Sequence, residues 1–138
     1  MLVGTHHMFS KTTGHDKPGM KIVIVGAGKV GRTLVDQLCK EGNDITIIDE
    51  DEKKVEQLTN LYDVMGIVGN GASYKVQVEA DLEHADLFIA VTDSDELNLL
   101  CCTVAKRVGD TAAIARVRNP DYSEEVSYLR DKLGLTMI

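Results

Sequence analysis

Residues 21–31 read KIVIVGAGKVG, and this stretch decides the fold class of the chain. Residues 22–25 form an uninterrupted apolar run, which is typical of a strand buried on both faces of a parallel sheet. Gly26, Gly28 and Gly31 follow at once in a G-x-G-x-x-G pattern, and apolar residues at helical spacing come next. A strand, a glycine-rich turn and a helix in this order are the context in which the pattern binds a dinucleotide.

Each glycine of the pattern has its own expected role. Gly26 permits a tight turn, Gly28 lets the backbone approach a pyrophosphate, and Gly31 lets the helix pack closely on the strand. The start of the helix then offers free N–H groups to the phosphates. Ala27, Lys29 and Val30 occupy the variable positions. Two lysines, Lys29 and Lys53, either neutralise a phosphate or are simply solvated, and the glycines alone would also suit a purely structural turn.

Strand and helix patterns alternate along the rest of the chain. Further strands are predicted at 45–48, 64–68, 87–91 and 112–117, and a sixth is predicted to begin at Leu135. Helices are predicted through 30–38, 55–62, 73–80, 95–108 and 123–133. In the helix from Asp95, the inner stripe is expected to include Leu97, Leu100 and Cys101. This alternation predicts an α/β fold: a Rossmann-like, doubly wound parallel sheet in a single domain with helices on both faces.

A carboxylate ends the second predicted strand. Asp49 lies 23 residues after Gly26, the position from which an acidic side chain accepts hydrogen bonds from an adenosine ribose and repels a 2′-phosphate. NAD(H) is therefore favoured over NADP(H). A cap on the following helix is the alternative role of Asp49, and the two roles are compatible.

Polar residues also follow the fourth and fifth predicted strands. Ligands of open α/β sheets bind beyond the carboxyl ends of the strands, so Thr92 is expected to line a nucleotide. Asp93 either contacts the ligand or, like Ser94, caps the next helix. Arg116 and Arg118 alternate onto one side of their strand, where one of them either grips a phosphate or forms an ordinary salt bridge.

Composition excludes several classes of protein. The 138 residues carry 15 basic and 22 acidic side chains, a net charge of −7, which argues against a nucleic-acid partner. No apolar run approaches the roughly 18 residues of a membrane span, so no direct insertion is expected. Three cysteines are no disulfide framework, which suits a cytoplasmic setting. No catalytic or metal-binding set is predicted, and His84 is interpreted as a surface residue without a carboxylate partner.

The amino-terminal residues differ in character from the remainder. Residues 1–19 hold three of the four histidines and end in Pro18-Gly19. We interpret 1–19 as an expression leader or disordered tail, and 20–138 as the nucleotide-binding domain. About 119 residues form only a nucleotide-binding layer, without a substrate domain, so the domain is expected to bind a nucleotide and not to be an enzyme.

Five blocks of the domain carry a more specific signal: IVGAGKVGRTLVDQL (24–38), DITIID (44–49), GNGAS (69–73), LEHADLFIAVTDSDELNLL (82–100) and IARVRNPDY (114–122). They resemble the TrkA-N domain, also called the KTN or RCK N-terminal domain, of potassium-uptake regulators. The last two blocks are much more specific than the glycine pattern.

The resemblance implies a cytoplasmic regulator, peripheral at the membrane, of a potassium transporter or channel subunit. It implies a homodimer or larger ring that binds NAD(H) or, as in relatives, ATP or ADP. Many members have an acidic residue where Asn70 stands, and the family usually continues into a second subdomain beyond the region matched here. The nucleotide contacts carry over to Gly26, Ala27, Gly28, Lys29, Val30, Asp49, Asn70, Thr92, Asp93 and Arg116.

Two other functions stay open at this point. The chain is either the amino-terminal NAD-binding part of a dehydrogenase that lacks its catalytic domain, or an interaction module whose nucleotide site is empty. The AVTDSDELN block argues against the dehydrogenase, and a failure to bind any nucleotide would favour the interaction module.

Overall fold

A computed structural model of the chain describes residues 2–5, 19–122 and 135–137. The strands are β1 (Leu2–Thr5), β2 (Lys21–Val25), β3 (Asp44–Asp49), β4 (Met65–Val68), β5 (Leu87–Ala90), β6 (Ala112–Arg116) and β7 (Leu135–Met137). The α-helices are α1 (Lys29–Lys40), α2 (Glu52–Leu61), α3 (Tyr74–Glu79) and α4 (Asp95–Val108), with 3-10 turns at Leu82–His84 and Pro120–Tyr122.

The strands form one sheet in the order β4-β3-β2-β5-β6-β1-β7. The five strands from β4 to β6 are all parallel, whereas β1 runs antiparallel to both β6 and β7. The chain moves outward from β2 to β4 and then returns to place β5 on the other side of β2. This reversal opens a crevice at the carboxyl ends of β2 and β5. The predicted Rossmann-like α/β fold is confirmed.

Strand β2 is the centre of two cores because its side chains alternate between the two faces of the sheet. Ile22 and Ile24 are fully buried in a cluster that includes Val35 of α1 and Leu58 of α2. The other face of β2 contributes Val23 and Val25 to a cluster with α4 and part of α3. Burial on both faces explains why the strand has no polar residue after Lys21.

The inner face of helix α4 agrees with the expected stripe at Leu97 and Cys101 but not at Leu100. Leu100 is 52% exposed, whereas Asn98, Cys101, Cys102 and Ala105 are buried. The expected stripe contained only apolar residues, whereas the polar residue Asn98 takes one of the inward positions. Burial raises the pKa of the Cys101 thiol to about 12 and that of Cys102 well above its usual value. None of the described helices has the length and apolar character that crossing a bilayer requires.

The two ends of the chain depart in part from expectation. Residues 1–19 were expected to lie outside the fold, but Leu2–Thr5 pairs with β6 along the free edge of the parallel sheet. Backbone pairing of an edge needs no periodic apolar pattern, so the sequence gives no sign of it. The strand expected from Leu135 is present as β7. Residues 6–18 and the helix predicted over 123–133 lie outside the described residues.

A charged corner joins the amino-terminal ends of β2 and β5. Lys21 Nζ lies 2.5 Å from Asp81 Oδ2, and His84 Nδ1 lies 2.6 Å from Asp81 Oδ1. His84 therefore does have a carboxylate partner, contrary to the expectation from the sequence. Asp81 adopts a left-handed conformation, φ 58°, which aspartate tolerates better than most residues. This conformation turns its carboxylate toward both cations, an arrangement that sequence spacing does not reveal.

The corner predicts a pH dependence of stability. The hydrogen bond to Asp81 raises the pKa of His84 in the folded state. The pair therefore stabilises the fold fully below pH 6.5, the pKa of His84 in the unfolded chain, and this stabilisation is lost as pH rises through the folded-state pKa. Urea midpoints measured from about pH 6 to about pH 8 should therefore fall more in the wild-type protein than in His84→Asn. The effect is expected to be small because the pair is exposed. Identical pH profiles would contradict it.

Candidate functional site

A cleft of about 360 Å³ opens at the carboxyl ends of the central strands. It lies where the strand order reverses between β2 and β5, the place at which open α/β sheets bind ligands. The carboxyl ends of β2, β3, β5 and β6, the turn after β4, and the first turns of α1, α2 and α4 meet there. The lining residues are Val25, Gly26, Gly28, Lys29, Val30, Asp49, Glu50, Lys54, Gly69, Asn70, Gly71, Val91, Thr92, Asp93, Leu97, Arg116 and Arg118.

The structure brings together most of the residues singled out in the sequence. Nine of the eleven line the cleft: Gly26, Gly28, Lys29, Val30, Asp49, Asn70, Thr92, Asp93 and Arg116. The other two, Ala27 and Gly31, are buried directly behind it. Their contacts show that both build the turn on which the cleft depends.

The glycine turn is held by two close approaches of backbone. Gly26 has φ +114°, and a Cβ there would lie 2.9 Å from the carbonyl carbon of Val91 at the end of β5. A Cβ on Gly31 would lie only 1.7 Å from the carbonyl oxygen of Gly26. Gly28, by contrast, has no atom within 4 Å of its Cβ position, so its open side faces the cleft. The contacts of Gly26 and Gly31 agree with the tight turn and the close helix packing expected of them, and Gly28 leaves open space at the cleft.

Helix α1 begins at this turn without a capping side chain. Its N-cap residue is Gly28, which makes no side-chain hydrogen bond to the first turn. The other three described α-helices are each capped, by Asp51 in α2, Ser73 in α3 and Ser94 in α4. The first N–H groups of α1 are thus the ones left for a ligand, and the helix dipole makes that ligand preferably an anion.

The carboxylate of Asp49 connects β3 to the glycine turn. Its Oδ2 accepts a hydrogen bond from the Ala27 N–H at 2.7 Å, and its Oδ1 accepts one from the Asp51 N–H at 2.8 Å. Asp49 does not cap α2, because Asp51 accepts from the N–H groups of Lys53 and Lys54. Each carboxylate oxygen has a second lone pair, so Asp49 keeps acceptor capacity toward the cleft.

The sequence left open which residues after β5 cap helix α4 and which line the cleft, and the structure assigns these two roles to different residues. Ser94 caps α4 by accepting a hydrogen bond from the Leu97 N–H at 3.1 Å. Asp93 is exposed and lines the cleft, while its carbonyl accepts a hydrogen bond from the Arg118 guanidinium at 2.8 Å. Thr92 lines the cleft and contacts Asn98 of α4 through both its backbone and its hydroxyl. The helix cap and the cleft lining are therefore different residues.

The start of α4 also holds the chain as it leaves β6. Asp95 Oδ2 accepts hydrogen bonds from the N–H groups of Arg118, at 3.0 Å, and Asn119, at 2.7 Å. Burial alone would raise the pKa of Asp95, but these two hydrogen bonds and the charges of Arg118 and Arg116 together lower the pKa below its usual value. The ionised carboxylate thereby keeps Arg118 at the rim of the cleft.

Charges of both signs line the cleft, with cations in excess. The cations are Lys29, Lys54, Arg116 and Arg118, and the carboxylates are Asp49, Glu50 and Asp93. The chain as a whole carries −7, so the cleft differs in sign from the rest of the molecule. Such a lining favours a phosphate-bearing ligand. Among the residues that the structure describes, no group of three or more His, Cys, Asp or Glu side chains could hold a metal ion.

Several residues of the site escaped the sequence analysis. Lys54, not Lys53, lines the cleft, because the start of α2 at Glu52 turns Lys54 inward. Asn98 and Asp95 were missed because their partners lie 6 to 24 residues away and are mostly backbone atoms. The one signal available was the density of polar residues in TDSDELN, which a solvated helix start would also show.

Comparison with known proteins now identifies the family. The TrkA-N domain family model matches residues 22–137. The chain belongs to the TrkA-N domain family. It is 41% identical over 115 residues, 83% of the chain, to the Trk system potassium uptake protein TrkA of Haemophilus influenzae, and 40% identical over 105 residues, 76% of the chain, to a TrkA homolog of Methanothermobacter thermautotrophicus. The matched parts are 24% and 49% of those two proteins, so this TrkA-N chain spans less than half of either relative.

Solved structures with the same fold support the fold assignment. The NAD(P)-binding domain of an exopolyphosphatase-related protein from Archaeoglobus fulgidus has a TM-score of 0.70 at 24% identity, covering 80% of this chain and 82% of that one. The GsuK channel bound to NAD has a TM-score of 0.70 at 22% identity, covering 83% of this chain and 21% of that one. GsuK bound to ADP has a TM-score of 0.69 at 22% identity, covering 82% and 30%.

The glycine contacts predict a large loss of stability at one position of the turn and a small loss at another. Gly31→Ala should lower the free energy of unfolding by about 3 kcal/mol or more, because its methyl group must displace the Gly26 carbonyl. The matched change Gly28→Ala should cost under about 1 kcal/mol, because its Cβ position is open. Chemical denaturation of both variants measures the difference. Equal losses at the two positions would show that α1 can move away from the turn.

Proposed function

We propose that this TrkA-N chain is a nucleotide-binding regulatory domain that controls a potassium transporter or channel and is not itself an enzyme. Its ligand is NAD(H) or, alternatively, ATP or ADP. Ligand binding favours one arrangement of neighbouring domains over another. One observation carries the proposal: the uncapped start of α1, the carboxylate of Asp49 and the two arginines at the carboxyl end of β6 converge on one cleft.

The chemistry of the cleft fits a nucleotide at both of its ends. The N–H groups of α1 and the guanidinium of Arg116 suit phosphates, which are the most strongly charged part of such a ligand. The spare lone pairs of Asp49 suit the hydroxyls of a ribose. NAD(H), ATP and ADP all present these groups, so the described residues favour the class of ligand over any one member.

The comparisons support the choice of partner. Relatives that match most of this chain are named as Trk system potassium uptake proteins, and GsuK is named as a channel that has been solved with NAD and with ADP. We infer that the TrkA-N chain acts on the cytoplasmic face of a membrane-embedded potassium transporter or channel subunit. A homodimer or larger ring would let the ligand change the arrangement of several copies at once.

The dehydrogenase alternative has less support. Its expected partner would be a substrate domain, whereas the relatives that match most of this chain are named for potassium uptake. The side chains of the polar TDSDELN stretch are engaged with backbone groups at and just after the ends of β5 and β6, which is a supporting role. A regulatory role therefore accounts better for both observations.

Calorimetric titration with NADH, followed by competition with ATP and ADP, tests the proposal directly. We expect saturable one-site binding of at least one of the three. The energetic effect on domain arrangement equals the ligand's differential affinity for the two arrangements, about 1.4 kcal/mol per tenfold. The proposal of ligand-dependent control is falsified if NADH binds equally tightly to both arrangements of the assembled regulator. Failure to bind any of the three would favour the interaction module.

Replacement of Asp49 tests which residue holds the ribose. Asp49→Ala should weaken binding of the preferred nucleotide by about 1–3 kcal/mol, the cost of a lost charge-assisted hydrogen bond. Asp51→Ala is the matched control, because it removes a neighbouring carboxylate that caps α2 but does not line the cleft. It should cost about 1 kcal/mol of stability and leave the dissociation constant unchanged. An unchanged constant in Asp49→Ala would rule out the ribose role.

A further inference from the structure

Asn98 is a fully buried polar residue that lies behind the cleft without lining it. Its Oδ1 accepts hydrogen bonds from the N–H of Thr92 at 2.8 Å and from the hydroxyl of Thr92 at 2.7 Å. Its Nδ2 donates to the carbonyl oxygens of Thr92, at 3.1 Å, and Arg116, at 2.8 Å. The single amide thus connects the ends of β5 and β6 from within α4.

The partners of Asn98 fix the orientation of its amide. A backbone N–H can only donate and a backbone carbonyl can only accept, so Oδ1 must face the Thr92 N–H and Nδ2 must face the two carbonyls. Both protons of Nδ2 and both lone pairs of Oδ1 are then in use. A fully satisfied buried amide of this kind is rigid, because any other orientation leaves buried polar groups unpaired.

This orientation determines what the hydroxyl of Thr92 offers to a ligand. The Thr92 hydroxyl has one proton to donate. Its nearer acceptor is Asn98 Oδ1 at 2.7 Å, and the Ser94 carbonyl is farther away at 3.2 Å, so the proton is donated to Asn98. The Thr92 oxygen also accepts a hydrogen bond from the Ser94 N–H at 3.2 Å. One lone pair is left over, so Thr92 meets the cleft as a hydrogen-bond acceptor.

We propose that Asn98 is a positioning residue of the nucleotide site, which sets Thr92 as an acceptor and holds it in register with Arg116. The inference rests on the function proposed above. The ligand group that meets Thr92 is then a hydrogen-bond donor, such as a ribose hydroxyl or a carboxamide NH₂, and not a phosphate oxygen. Phosphate is left to Arg116 and to the start of α1, both of which are donors.

A double-mutant cycle in the full chain, read by calorimetric titration with NADH, tests whether Asn98 acts through Thr92. Asn98→Ala and Thr92→Val should each weaken NADH binding about tenfold or more. The double variant should be within about threefold of Asn98→Ala, because the two residues act as one unit. Losses that multiply in the double variant would overturn the proposal. If Asn98→Ala does not fold, Asn98→Ser replaces it in the same cycle.

Thr111→Val supplies the matched control for a purely structural role. Thr111 is also buried, and its hydroxyl contacts the carbonyls of Leu82 and Ala85 at the opposite end of the sheet from the cleft. The Thr111→Val variant should have a lower Tm than the wild-type protein and the same dissociation constant for NADH. An Asn98→Ala variant that behaves in the same way would assign Asn98 to stability alone. If the wild-type chain binds neither NADH, ATP nor ADP, the proposed function itself fails, and the role of Asn98 falls with it.

Discussion

The contact between the start of helix α1 and the turn after β2 is the constraint on which the cleft depends. The Cβ position of Gly31 is 1.7 Å from the Gly26 carbonyl oxygen, so only a glycine lets α1 begin this close to the sheet. One turn later, Val35 is fully buried against the same face of the sheet. These two positions fix the axis of α1 and direct its uncapped N–H groups at the carboxyl ends of the strands.

Asp49 makes the geometry of the turn and the chemistry of the cleft interdependent. Its carboxylate holds the Ala27 N–H at 2.7 Å and lines the cleft at the same time. A ligand hydroxyl that donates to Asp49 therefore shares the carboxylate with the turn that presents the helix. The two hydrogen bonds can coexist because each carboxylate oxygen has two lone pairs, so a ligand hydroxyl need not displace the Ala27 N–H.

Most of the fold and most of the residues that line the cleft could be predicted from local sequence patterns. The buried polar residues behind the cleft could not. Apolar runs such as 22–25 and the glycine spacing after them are short-range signals, and they predict β2, α1 and their order correctly. Asn98 and Asp95 bind backbone groups of other strands, which no periodicity records. The same is true of Asp81, whose left-handed backbone turns it toward Lys21 and His84. Buried or strained polar residues depend on tertiary structure, so they are the places where sequence patterns fail.

The two walls of the cleft differ in how far buried polar side chains hold them. The wall formed by β5, β6 and α4 is held by the buried Asn98 amide and the Asp95 carboxylate. On the opposite wall, Glu50, Lys54 and Asn70 are exposed, and Asn70 accepts local hydrogen bonds from the N–H groups of Ala72 and Ser73. Few buried contacts mean a low cost of local rearrangement. Under the function proposed above, a nucleotide that spans the cleft would order these exposed residues, and a ligand-dependent signal would begin with them.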